Sequence, residues 1–335
     1  MLAHFTQQRS QYSHQIPSVF VLGSLMIAHI FFVRRFPFPG ESLAADSFHC
    51  ETGGKGLNVL IGLHKLGISV DGIIPVGNTS AARSQYQQTL DDWALTSPEL
   101  LELGEYNGNG VALIDNSGQN NITLYAGANA LLDTSHIRAR ASRIAQAGIT
   151  YASFEIPEST IATAFSIAKH AGRLTILNPS PFHAITPELL ASTDVLIMNQ
   201  TEAAAFFQTE PSIFNTADSA KAFLAKVSNK DAYPGKSMVI TLGCQGVIAW
   251  LENGQTIIHP AFQTQVIDSI GAGDAFASAF IYKLLSGQSI AQALQAGCAS
   301  ASIVISSKGL LPHLPTKDFL DAMIQNPRYI SPDTQ

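Results

Sequence analysis

The chain has 335 residues, of which 46% are hydrophobic and only 13% charged, with a net charge of -6. That length buries one large core with at most a small appendage, and a mildly acidic chain with scattered Lys and Arg argues against nucleic acid as a partner. Three widely spaced cysteines, Cys50, Cys244 and Cys298, make neither a disulfide framework nor a CxxC pair, which suits reduced thiols in the cytoplasm.

Residues 1–15 are polar and read as a flexible tail ahead of a single domain over 16–330. The apolar run Ile16–Val33 approaches the length of a membrane helix, but Pro17, Gly23, Ser24 and His29 interrupt it. Strand, Gly-Ser turn and second strand explain it equally well. Val19–Leu22 reads as a strand, Lys55–Leu66 as a helix opened by glycines, and Val70–Val76 as a strand. Ile137–Ala147 is expected to be one helix. Thr150–Phe154 is a strand, and a helix follows from Pro157. Leu174–Leu177, Val195–Met198, Val239–Leu242 and Gly246–Leu251 read as short strands, and Ala272–Leu285 and Ile290–Ile305 as helices rich in small residues. This alternation predicts a three-layer α/β/α domain around a mostly parallel sheet. Two stretches break the rhythm with strands alone, at about residues 27–51 and 105–127. They are expected to form a small β-sheet lid made of two excursions.

Chemistry concentrates in short glycine-rich segments. In Asp268-Ser269-Ile270-Gly271-Ala272-Gly273-Asp274, small residues lead straight into a helix. The first amides of a helix lack internal partners and carry positive potential, so Gly271, Ala272 and Gly273 make a nest for a phosphoryl group. Asp274, in that first turn, can take the proton of an attacking hydroxyl; the plainer alternative is an ordinary glycine-rich helix start. Gly53-Gly54-Lys55-Gly56-Leu57-Asn58 opens another helix but matches neither the Walker A spacing nor the GxGxxG fingerprint. By itself it is a glycine turn with a solvated lysine.

Taken with Ala126-Gly127-Ala128-Asn129-Ala130, Asn178-Pro179-Ser180-Pro181 and Asn199-Gln200-Thr201-Glu202, in that order, the chain resembles the ribokinase-like carbohydrate kinases, the PfkB family, over roughly Val19 to Leu320. The resemblance implies a first central strand at Val19–Leu22, against the membrane reading, and an ATP-dependent sugar kinase that uses Mg²⁺. It implies Asp274 as the base, Gly271–Gly273 as the anion hole, and Gly53, Gly54, Lys55, Asn58 and Glu155 against the substrate. It also implies Asn199 and Glu202 at the phosphates, with Glu202 reaching Mg²⁺ through water, and Thr241, Gly243 and Gly246 along the nucleotide. Asn199 and Glu202 could equally act as a helix cap and a solvated acid. A K⁺ ion is implied at Asp268, Ile270, Val304, Ser307 and Gly309, but the last ligand position carries His313, whose bulk argues against it.

Two departures bear on substrate. Where the family has Asn-x-Asp after the first strand, this chain has Met26 and Ala28, and Gly77–Ala82 lacks the usual G-x-D-x-x-G. A site stripped of an amide and a carboxylate loses about 1–3 kcal/mol per missing partner of a polyol. A deoxysugar, nucleoside or sugar derivative is therefore expected in place of ribose. A nucleoside kinase and a non-catalytic ligand sensor remain alternatives, and lid edges that need pairing suggest a homodimer.

Overall fold

The computed structural model describes Leu2 and residues 18–326, apart from 97, 118, 228–232 and 234. The expected tail therefore lies outside the described residues except for Leu2, which is buried in the core. In chain order the strands are β1 (Ser18–Leu22), β2 (Met26–Val33), β3 (Ser47–Gly53), β4 (Ser69–Val76), β5 (Glu99–Glu102), β6 (Gly108–Asp115), β7 (Asn120–Tyr125), β8 (Ile149–Ser153), β9 (Leu174–Asn178), β10 (Val195–Asn199), β11 (Ser237–Thr241), β12 (Val247–Trp250) and β13 (Thr256–His259). Nine of them form one sheet in the order β13-β12-β11-β10-β9-β8-β1-β4-β5. Pairing is parallel from β5 to β11 and antiparallel at β12 and β13.

The central strands are apolar on both sides, as a sheet covered by helices requires. Val19 and Val21 of β1 enter one buried cluster while Phe20 and Leu22 enter the other. Val195 and Ile197 of β10 likewise part from Leu196 and Met198. The helices Lys55–Lys65, Ala272–Leu285 and Ile290–Ile305 fill the first layer. Gly62 lets two of them touch: a Cβ there would stand 2.4 Å from Ser278 Oγ. That close crossing brings the first turns of both helices together.

The second sheet, β3-β2-β6-β7, is the lid. β2 pairs antiparallel with β3 and parallel with β6, and β6 forms a hairpin with β7. The hinge into the lid is pinned by Asn129, fully buried. Its Oδ1 accepts from Leu25 N–H at 3.1 Å and its Nδ2 donates to Leu25 O at 2.8 Å.

One expected element is broken. In place of a continuous helix over 137–147, short helices run Thr134–Arg138 and Ala141–Gln146. The Arg140 guanidinium donates to the His136 carbonyl, the acceptor that a continuing helix would use, and the Arg140 N–H turns to Ile137 O instead. Among the described residues no helix is long and apolar enough to cross a membrane. The apolar run after residue 18 is β1, a turn and β2.

Candidate active site

Parallel α/β sheets bind ligands outside the carboxyl ends of their strands, where the strand order reverses. Here that point lies between β1 and β8. Ser24, just past β1, donates from Oγ to Glu155 Oε2, just past β8, at 2.5 Å. The same oxygen accepts the Lys55 N–H at 2.7 Å, and Gly56 N–H donates to Ser24 Oγ at 3.2 Å. The start of the Lys55–Lys65 helix, whose N-cap Gly54 has no side chain to cap it, is thus tied to both strands. Glycine is required on this path. Gly54 has φ 115°, and a Cβ on it would stand 2.4 Å from the Ser24 carbonyl oxygen.

Asp274, 3% exposed, sits in the first turn of the Ala272–Leu285 helix. Asn58 Nδ2 donates to Asp274 Oδ2 at 2.7 Å, and Lys55 Nζ lies 3.9 Å from Oδ1. The Asp274 charge raises the Lys55 pKa against the opposing effect of burial, with smaller help from Glu155 and Glu202. Burial raises the Glu155 carboxyl, while the Lys55 charge and its two hydrogen bonds pull it back. Ahead of Asp274, Gly271 adopts φ 76°, and Gly273 has open space where a Cβ would stand. The first-turn amides therefore face a site that small residues leave uncovered.

These groups line one cleft of about 730 Å³. Gly53, Gly54, Lys55, Asn58, Glu155, Ile270, Gly271, Asp274 and Gly309 all border it. The lid side of the cleft sets apolar residues, Met26, Ala28 and Ile30 of β2, Ala112 of β6, and Ile122 and Leu124 of β7, beside His49, Glu51 and Thr52 of β3. The positions where a polyol would find an amide and a carboxylate thus present a thioether and a methyl. The far end reaches Gln85, Asp92 and Trp93.

The remaining expected residues lie beside the cleft. Asn199 and Thr241 are register partners at the ends of β10 and β11. Asn199 Oδ1 accepts the Glu202 N–H, and Glu202 Oε2 accepts the Asn199 N–H, both at 2.9 Å. This capping box leaves the other Glu202 oxygen free, and one carboxylate oxygen suits Mg²⁺ that keeps most of its waters. Gly243 and Gly246, with φ 58° and 91°, shape the turn after β11. A Cβ on Gly246 would stand 2.1 Å from His259 O.

The residues expected around a monovalent cation are joined by hydrogen bonds within their own turns. Asp268 Oδ1 accepts the Ile270 N–H at 2.9 Å, and the His313 ring, through Nδ1, takes the Gly309 carbonyl at 2.9 Å. Ser307 N–H donates to Val304 O at 3.2 Å.

Comparison with known proteins decides the lineage: residues 17–317 match the model of the pfkB family carbohydrate kinases. The chain belongs to the pfkB family. It is 31% identical to the ribokinase of Haemophilus influenzae over 297 residues, which cover 89% of this chain and 95% of that one. It is 25% identical to the deoxyribokinase of Salmonella typhi over 299 residues, covering 88% and 95%. The structure of Arabidopsis thaliana ribokinase complexed with ribose and ATP superposes with a TM-score of 0.83, at 25% identity, covering 93% of this chain and 99% of that one. The chain is therefore an ATP-dependent sugar kinase of the pfkB family, with the family's α/β fold and lid.

Reading the sequence missed Ser24 and the anchoring role of Asn129. Both act on residues about a hundred or more positions away, and no local pattern announces such pairs. Ser24 reads in the sequence as half of a Gly-Ser turn.

Proposed function

We propose that this pfkB kinase phosphorylates a hydroxyl, a primary CH₂OH, of a sugar or sugar derivative with few hydroxyls against Met26 and Ala28, and that Asp274 is the general base. One observation carries the proposal. A buried carboxylate at an uncovered helix start has one oxygen held by Asn58 and the other turned toward the Lys55 side of the cleft. The alcohol proton passes to Asp274 as its oxygen bonds to the γ-phosphorus of ATP. The bond from that phosphorus to the β,γ-bridging oxygen breaks, and ADP leaves. The amides of Gly271, Ala272 and Gly273 receive the charge that the equatorial oxygens carry. Lys55 adds a fixed positive charge beside the reacting atoms. When bound, Mg²⁺ would supply charge neutralisation at the phosphates, with Asn199 and Glu202 as its holders. Thr241, Gly243 and Gly246 would lie along the nucleotide. We leave K⁺ out of the mechanism, because the bulky His313 stands at the last expected ligand position.

The apolar wall of Met26 and Ala28 supports a deoxysugar over ribose. A nucleoside is the second reading, favoured by a cleft that runs on to Trp93. The enzyme is placed in the cytoplasm, in keeping with three free cysteines, as a homodimer joined through its lids.

The test is ADP release across pentoses, deoxypentoses and nucleosides, for the wild type and Asp274→Asn. The variant should lose about 10²–10⁴-fold in kcat, as removal of a general base does, with ATP affinity kept. Wild-type turnover by the variant would end the assignment of Asp274. A ligand that raises Tm while no acceptor yields ADP would mark a sensor.

A further inference from the structure

Strand β8 lies in the middle of the sheet between β1 and β9. Such a strand is covered on both faces and ordinarily reads as a run of Val, Ile and Leu. Here it reads Ile149-Thr150-Tyr151-Ala152-Ser153. Tyr151 is 0% exposed and shares its buried cluster with Leu57, Leu60 and Phe276, on the side of the two helices that carry Asn58 and Asp274. Its aromatic ring fills that layer as Phe would. Its hydroxyl, however, has no hydrogen-bond partner among the described residues.

Two more polar atoms share this condition nearby. Ser153 Oγ, two residues on and so on the same face of β8, is buried and unpartnered. So is Oδ1 of Asn58, the residue whose Nδ2 holds Asp274. A donor, an acceptor and a hydroxyl that can be either thus sit unpaired on β8 and the helix packed over it. Buried polar groups are almost always paired, and a polar site of this kind is where ordered water completes the set.

Burial first, then Asp274, then Glu155 and Glu202, push the pKa of the Tyr151 hydroxyl well up, so it remains a neutral donor. Lys55 is the facing cation, 3.9 Å from Asp274. Asp274 contributes most among the charges, yet no direct hydrogen bond joins the two side chains.

We propose that Tyr151 is a positioning residue for Asp274, donating its hydroxyl to a buried water that in turn donates to the Asp274 carboxylate. The proposal rests on Asp274 being the base. Asn58 alone fixes one carboxylate oxygen; a second donor from beneath fixes the plane of the group and leaves a lone pair aimed at the acceptor alcohol.

Tyr151→Phe removes the hydroxyl and keeps the ring. Tm should hold or fall only slightly, because the ring stays packed and a single water-mediated hydrogen bond is lost. The kcat should fall about tenfold, the scale of a slightly misplaced catalytic group, with KM for ATP within about twofold. A high-resolution crystal structure of the wild type should show a water in hydrogen-bond contact with both Tyr151 Oη and Asp274, and that of Tyr151→Phe should lack the bridge. Unchanged kcat in Tyr151→Phe, or no bridging water in the wild type, overturns the proposal. If the wild type turns over no acceptor, the kinase reading fails by itself, and the water decides the positioning role.

Discussion

Glu155 shows how one carboxylate at the cleft ties two strand ends to a helix start. It accepts from Ser24 and from the Lys55 N–H, and burial raises its pKa above the ordinary 4.5. A carboxyl raised in the folded state contributes stability at low pH and loses it as pH climbs through the folded value. In Glu155→Gln the amide oxygen keeps both hydrogen bonds and discards the charge. The variant should therefore have a higher Tm than the wild type at pH 8, with the gap closing toward pH ~4. Its kcat/KM for the acceptor should fall about 10–100-fold, the scale of a lost charged partner. Melting curves at the two pH values check the sign; a gap that widens as pH falls contradicts it.

At the scale of elements, the two helix starts define the site, and their glycines differ in purpose. Gly271 turns the chain with φ 76°, and a Cβ on it would stand 2.3 Å from Leu310. Gly271→Ala should cost about 1–3 kcal/mol, read by urea unfolding. Gly273 meets nothing within 4 Å, so Gly273→Ala should keep stability. A methyl there would obstruct the approach of phosphate, and kcat should fall about 10²-fold, as when one oxyanion donor is lost. Equal unfolding losses for the two variants would refute this division. The helices Ala272–Leu285 and Ile290–Ile305 were legible to the residue, because glycines, a capping Ser289 and unbroken small apolar runs mark their ends. The Ser80–Asp92 helix was not, since it buries only Ala82, Tyr86 and Thr89 and has no clear apolar stripe. The break near Arg140 was equally hidden, because a side chain causes it where no glycine or proline stands. The candidate site was legible as an ordered set of motifs. Its internal wiring was not, because Ser24–Glu155 and Asn58–Asp274 join residues 131 and 216 positions apart.

For the whole molecule, the lid is the part left with unsatisfied surface. Its face away from the cleft carries Phe48 and Tyr125, 55% and 58% exposed, with the Phe31 ring tilted against Phe48 at 4.9 Å between centroids. Exposed aromatics on a four-stranded sheet with open edges suit burial against a second copy. Light scattering at micromolar concentration should give twice the 35.8 kDa chain mass, and Phe48→Asp with Tyr125→Asp should halve it. A monomeric wild type rules the lid dimer out. The placement of the reaction itself is tested most directly by a crystal structure with a non-hydrolysable ATP analogue and a bound deoxysugar. The terminal phosphate should lie against the amides of Gly271–Gly273, with the acceptor hydroxyl in hydrogen-bond contact with Asp274. A terminal phosphate held away from that turn would contradict the account.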